Sequence, residues 1–295
     1  MTAFLTTFSN FYSYQKKRFP VFVLGLSFLP VILSSGAVVT GSVTIEFLTL
    51  SLIISLAYLL HVRIIDEFRD YDHDLEHHKD RPLSIGAVTL NDLRIIDWMA
   101  IIVLALAALY SSLQALLIVV VMLGYSFLAR NEFFLGLKFR KHFYLYNAVN
   151  LVQMLLLQVL VYTLASDTFT FTTVVLIHFL FTGTGTIIFE FLRKVKNPGN
   201  DGTGQDTYTW FLGFSDALLV YAVFATVNIL FFVKIIFLIQ NVPAYMLPTS
   251  IVLVVVTFGA LLLNKLREEE KTNQLMQLSF MIMYGSFNIL IFLNV

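Results

Sequence analysis

Nine apolar runs, each long enough to cross a bilayer as a helix, dominate this chain of 295 residues. A spanning helix needs about 20 mainly apolar residues. Such runs lie near 19–39, 43–64, 94–110, 112–130, 143–164, 172–192, 212–234, 245–266 and 276–294. They are too long for the strands of a membrane barrel. Composition agrees, with 58% apolar residues, 13% charged and a mean hydropathy of +0.82; soluble domains carry roughly 25% charged residues. The expected fold is an all-α membrane protein of about nine transmembrane helices, a single polytopic domain over 1–295. The third and fourth runs meet at Ser111–Ser112 as a hairpin, and the seventh has room to extend to Ile239.

Positive charge orients the spans. With the N-terminus inside, the cytoplasmic segments are that terminus and the connections after spans two, four, six and eight. Of the 19 Lys and Arg residues, all but Lys234 fall in or beside these segments, the bias that positive-inside retention produces. The long polar connections 66–92 and 193–210 are then cytoplasmic, and the C-terminal "FLNV" is outside. A bacterial inner membrane is the expected compartment. At the N-terminus the basic cluster Lys16, Lys17, Arg18 comes late and no small-residue cleavage site follows. Residues 1–18 therefore read as an amphipathic cytoplasmic lead-in rather than a signal peptide. The absence of cysteine excludes disulfide and thiolate chemistry. Net charge is zero, which by itself says nothing about charged partners; no nucleic acid is expected, no obligate protein partner is evident, and membrane lipid is the surround.

Against this background the stretch Asp66–Asp74, "DEFRDYDHD", packs five acidic residues into nine positions. If the second helix continues through 74, steps of 100° put Glu67, Asp70 and Asp74 within an arc of about 60°, with Asp66 at its border and Asp72 pointing away. Such carboxylates repel, and a charge deep in a membrane costs on the order of 3 kcal/mol or more. A counter-charge is required. Mg²⁺ takes one or two carboxylates, keeps waters and accepts phosphate oxygens, so an acidic helix end suits a Mg²⁺–diphosphate. Arg63, Lys79 and Arg81 are near enough in sequence to balance the substrate. Charge alone fits equally well a solvated loop paired with its own His73, His77, His78, Lys79 and Arg81. A second mouth follows the sixth span, where "EFLRK" (190–194) echoes "EFRD" (67–70). The echo, four helices apart, suggests a weak repeat with halves of roughly 19–142 and 143–266.

The arrangement "DEFRDYDHDLEHHKDRPLSIGAVT" resembles the first signature of the UbiA superfamily of intramembrane prenyltransferases, Asn-Asp-x-x-Asp-x-x-x-Asp followed by Arg-Pro. Asp66 stands at the Asn, Glu67, Asp70 and Asp74 at the three acids, and Arg81-Pro82 at the expected offset, with Gly86 beyond. "KKRFPVFVLG" (16–25) resembles the entry to that family's first helix. "YSFLAR" (125–130) is similar to its Tyr-x-x-x-Lys signature, with Ala129 in place of the Lys and Arg130 one residue later. The second mouth departs further. Glu190 matches the first acid of Asp-x-x-x-Asp, but Lys194 stands at the second, and Asp201 and Asp206 follow in a Gly-rich loop. Glu-x-x-Arg-Lys with a later Asp206-Thr207-Tyr208 is similar to a divergent branch of the superfamily.

The resemblance implies a UbiA-like bundle with two cytoplasmic acidic mouths. It implies Mg²⁺-dependent transfer of a prenyl group from a polyprenyl diphosphate to an acceptor, with release of diphosphate. Asp66, Glu67, Asp70 and Asp74 would hold the metal, and Asp70, Asp74, Glu190 and Asp206 would serve catalysis. Arg63, Arg81, Arg130, Arg193 and Lys194 would bind substrate charge, with Tyr125 and Tyr208 as aromatic groups at the mouths. Asn147 and Asn150 are acceptor contacts or packing groups. For Arg193 and Lys194, positive-inside anchoring is the other reading. The small residues of "FTGTGT" (181–186) point to close helix packing, with a widened isoprenoid cavity as the alternative. The run "REEEKTN" (267–273) reads as a solvated loop. Three rival functions stand beside the transferase. A cation or metabolite transporter fits intramembrane carboxylates, though here the acids sit at the mouths. A CDP-alcohol phosphotransferase lacks its opening motif, since "TGQD" follows Asp201-Gly202. A non-catalytic isoprenoid-binding relative fits the altered second mouth.

Overall fold

The computed structural model describes residues 2–136, 142–199, 206–239 and 242–295. Among these, regular structure is helical throughout. An N-terminal helix, α1 (Thr2–Arg18), precedes the first span, α2 (Val21–Thr40). Then come α3 (Ile45–Arg69), the short α4 (Tyr71–His77), α5 (Leu90–Ser111), α6 (Leu113–Arg130), a 3-10 turn at Glu132–Phe134, and α7 (Phe143–Ala165). The rest comprises α8 (Thr173–Arg193), the short α9 (Tyr208–Leu212), α10 (Phe214–Leu238), α11 (Met246–Arg267) and α12 (Glu270–Asn294). Nine of the described helices are long and apolar enough to span, as the hydropathy predicts. The chain is a multi-pass integral membrane protein.

Local chemistry sets the boundaries that hydropathy misplaces. α5 starts at Leu90 rather than 94 because Thr89 and Asp92 form a capping box, Asp92 N–H to Thr89 Oγ1 and Thr89 N–H to Asp92 Oδ2, both 3.1 Å. Ser112 alone separates α5 from α6 and accepts the Ala115 N–H at 3.1 Å, which makes the expected hairpin. The run 267–273 is not a solvated loop throughout. α12 begins at Glu270, Thr272 and Asn273 are buried, and their side chains donate to Asn264 Oδ1 (2.9 Å) and to the Val195 carbonyl (3.1 Å).

The chain forms two compact units, Met1–Leu29 with Thr44–Asp167, and Pro30–Val43 with Thr168–Val295. The first division falls inside α2 at Pro30, which lacks the N–H for a helical hydrogen bond. The other falls after Asp167, one helix later than a four-helix repeat would put it.

In the first unit α3 packs along α5, and α6 along α5 and α7. Ile54, Tyr58, Leu104, Val119, Met122 and Leu157 form its apolar center. Tyr58 bonds Ser126 (3.2 Å), which donates to Gln153 (3.0 Å), tying α3, α6 and α7 together. A second cluster of Tyr14, Phe19, Ile64, Leu83, Leu93 and Ile96 seats α1 and the 66–92 connection. Thr7 and Asn10 of α1 donate to Asp92 at 2.6 and 3.0 Å. Asp92 therefore both caps α5 and anchors α1.

In the second unit α8 packs on α10 and α11 on α12. Buried polar groups pair within it. Ser34 donates to Asn288 Oδ1 at 2.7 Å, so its 2.9 Å contact with His178 Nε2 takes its proton from the imidazole. The small residues of α8 serve packing. A Cβ on Gly185 would lie 2.2 Å from the Tyr284 ring. That ring is held by Phe181 at 5.2 Å, Phe189 at 5.4 Å and Phe280 at 5.9 Å, so it has no room to swing aside. Gly185→Ala is expected to cost about 1–3 kcal/mol of stability, read as a lower melting temperature of the detergent-solubilized protein; an unchanged melting temperature would contradict this packing.

Candidate functional site

α3 carries its charge at its C-terminal end, where Arg63, Asp66, Glu67 and Arg69 remain helical. The helix stops at Asp70, whose φ of −98° and ψ of 11° start the separate helix α4. The uniform 100° progression therefore does not run through residue 74, and the predicted arc of Glu67, Asp70 and Asp74 is not formed. Each acid has its own partners.

Asp66 and Asp70 converge on one cation. Arg69 donates through Nη2 to Asp66 Oδ1 at 2.7 Å, and through Nε and Nη2 to the two Asp70 oxygens at 3.3 Å. The Asp66 and Asp70 side chains are 31% and 32% exposed, while that of Arg69 is only 6% exposed. Arg69 is held from behind by α7, with its guanidinium over the Tyr146 ring at 5.1 Å and a hydrogen bond to Asn150 Oδ1 at 3.3 Å. Two accessible carboxylates thus share a fixed buried cation, an arrangement suited to recruiting further positive charge.

Glu67 faces elsewhere. Its side chain is 1% exposed, and Oε1 receives Arg63 Nη2 at 2.6 Å, Arg18 Nε at 2.9 Å and the Tyr14 hydroxyl at 3.4 Å. Burial raises the Tyr14 pKa, so its hydroxyl stays protonated and donates. Glu67 is the counter-ion that docks α1 onto α3. Arg63, expected at the substrate, is committed to it.

Asp74 lies on α4, buried, with Arg81 on Oδ2. Among the described residues the trio of His, Cys, Asp or Glu drawn together with metal-ligand spacing is His73, Asp74 and His78, whose ligand atoms lie within 4.8 Å of one another. Around the same end of α3, Phe68 is flanked by the guanidiniums of Arg130 at 4.8 Å and Arg94 at 5.8 Å. Tyr125 donates to the Val149 carbonyl at 2.7 Å and meets Phe133 edge-on. Asn147 is buried and donates to the Phe143 carbonyl of its own helix at 2.8 Å.

In the second unit, the carboxylate at the end of α8 is paired with two cations. Glu190 receives Arg193 through two bonds of 3.0 and 2.7 Å and Lys194 at 3.1 Å. The two described ends of the following connection meet through the backbone. The Tyr208 N–H donates to the Lys194 carbonyl at 3.0 Å, and the buried Tyr208 ring lies 4.3 Å from that of Phe191. Asp206 is half-buried at the start of the described continuation. Asp201 lies outside the described residues.

No protein-family model and no curated protein matches the sequence. Solved structures match nearly all of it. The apo structure of a UbiA homolog from Aeropyrum pernix K1 aligns with a TM-score of 0.64 at 14% identity, over 90% of this chain and 96% of that one. A digeranylgeranylglyceryl phosphate synthase aligns with 0.61 at 14%, over 99% and 98%. A UbiA homolog from Archaeoglobus fulgidus bound to DMAPP and Mg²⁺ aligns with 0.59 at 15%, over 95% and 98%. The fold is that of the UbiA homologs.

On this UbiA fold Asp66 and Asp70 share Arg69, whereas the sequence pattern groups Asp70 with Glu67 and Asp74 and puts Asp66 at the border of that arc. Arg69 sits inside the same acidic stretch, three residues from Asp66 and next to Asp70, a spacing at which one helical turn brings a cation onto a carboxylate. Asn150, a candidate contact in the sequence, is a partner of Arg69. His73 and His78, which the sequence offers as loop partners of the acids, also form His-Asp-x-x-x-His, a ligand spacing in its own right.

Proposed function

We propose that this chain is an intramembrane prenyltransferase that binds the diphosphate of an isoprenoid donor at the end of α3 and transfers the prenyl group to an acceptor. The observation that carries the reading is the convergence of Asp66 and Asp70, both accessible, on the buried Arg69. A pair of partly exposed carboxylates fits Mg²⁺, which uses one or two of them and fills its shell with water and phosphate oxygens. When bound there, Mg²⁺ would supply Lewis-acid polarization of the diphosphate. Arg69, fixed by Tyr146 and Asn150, holds both carboxylates in place. Arg130, exposed beside Phe68, is the cation proposed to meet the outer phosphate oxygens. The reaction breaks the allylic C–O bond, the electron pair leaving with the diphosphate, and joins the first prenyl carbon to the acceptor, which loses a proton. A solved homolog of the same fold, bound to DMAPP and Mg²⁺, supports the donor class.

One observation favors a binding-only relative, namely the closure of Glu190 by its own Arg193 and Lys194. The experiment that separates the readings supplies purified protein with geranyl, farnesyl and longer diphosphates and a mixture of acceptors. Mg²⁺-dependent release of inorganic diphosphate supports the transferase. Isoprenoid diphosphate retained with Mg²⁺ but not cleaved supports the binding-only relative. Neither binding nor release sinks both.

A further inference from the structure

α4 carries donor chemistry that the diphosphate reading does not use. His73 and Asp74 are neighbors on this helix, and His78 ends it with φ −131° and ψ 60°. One ligand atom from each lies within 4.8 Å of the others, and the rings of His73 and His78 stand 5.8 Å apart. The two oxygens of Asp74 have different neighbors. Arg81 holds Oδ2, while Oδ1 lies 3.8 Å from His73 Nδ1. The Asp74 carbonyl accepts from the His78 N–H at 2.9 Å and from Ser84 Oγ at 3.3 Å, so its backbone is fixed from both sides. A cation on the far oxygen of a ligating carboxylate is the outer-shell arrangement that orients metal ligands.

We propose that His73, Asp74 and His78 form a binding site for a divalent transition-metal ion of borderline softness, the class of Zn²⁺ and Co²⁺. Two imidazoles and a carboxylate suit such ions, whereas Mg²⁺ and Ca²⁺ prefer all-oxygen shells. Tetrahedral bonds of ~2.1 Å place ligand atoms about 3.4 Å apart, so the trio tightens on binding. His73 and His78 are only partly buried, which leaves room for that movement. Three protein ligands leave a fourth position for water or a phosphate oxygen. The site is distinct from the Asp66–Asp70 pair on Arg69 and does not rest on the prenyltransferase reading.

The test is a Co²⁺ titration of tag-free, full-length protein in detergent with excess Mg²⁺ present, read by visible d–d absorption. One saturable ion per chain is expected, displaced by Zn²⁺ and indifferent to Mg²⁺. His73→Gln and His78→Gln should each weaken it about tenfold or more, while His77→Gln, beside the trio, should keep it. As a readout that needs no variant, Zn²⁺ should raise the melting temperature of the unaltered protein. Absent Co²⁺ bands, bands that survive both variants, or no stabilization by Zn²⁺ would overturn the proposal. No substrate is present, so the outcome is independent of diphosphate release.

Discussion

Asp70→Asn is expected to lower Mg²⁺-dependent diphosphate release about 100-fold or more, while Asp72→Asn stays near the unaltered protein. The substitution keeps the shape of the side chain and removes its charge. Asp70 shares Arg69 with Asp66, and its side chain is 32% exposed. A hundredfold loss corresponds to about 2.7 kcal/mol of transition-state stabilization, a plausible worth for a carboxylate that holds the charge against which the leaving group develops. Partial recovery at raised Mg²⁺ is also expected, because one carboxylate of the pair survives. Asp72 is exposed on α4 and makes the fitting control, matched in charge and distance along the chain. Equal loss in both variants would mean that local net charge, not the Asp66–Asp70 pair, governs the reaction.

Glu67→Ala is expected to destabilize the protein by about 3–5 kcal/mol, the cost of stranding buried charge. Glu67 is 2% exposed and is the shared acceptor for Arg18, Arg63 and Tyr14. Its removal leaves two guanidiniums facing each other across a vacated pocket between α1 and α3. Arg18→Ala should cost less, because Arg63 still satisfies the carboxylate. The measurement is thermal unfolding in detergent, together with proteolysis of α1, whose other polar anchor is Asp92. If Glu67 instead ligated a metal, Glu67→Ala would stay folded and lose only Mg²⁺ affinity, and that outcome would contradict the placement described above.

The spans were legible because hydropathy is a local property, and each run of about 20 apolar residues has one inexpensive fate in a bilayer. Their ends were less legible. α3 extends past its apolar run to Arg69 because Arg63, Glu67, Asp66 and Arg69 satisfy one another along the helix and with Arg18. That last partner lies 49 residues away, and no local pattern announces it. α12 starts early because Thr272 and Asn273 bury their side chains on Asn264 and Val195, contacts that depend on the fold. At the site, the spacing of the acids was readable and their grouping was not. A helical wheel carries one rotation through 74, whereas the break at Asp70 separates Asp74 from Asp70 and hands it to Arg81 and the histidines.

The most direct test is a structure of the protein with Mn²⁺ in place of Mg²⁺ and a non-cleavable thiolo analog of farnesyl diphosphate, located by anomalous scattering. A manganese peak bonded to Asp66 or Asp70 is expected, with diphosphate oxygens completing its shell and Glu67 still on Arg18 and Arg63. Diphosphate bound away from Asp66 and Asp70, or manganese bound to Glu67, would contradict this placement.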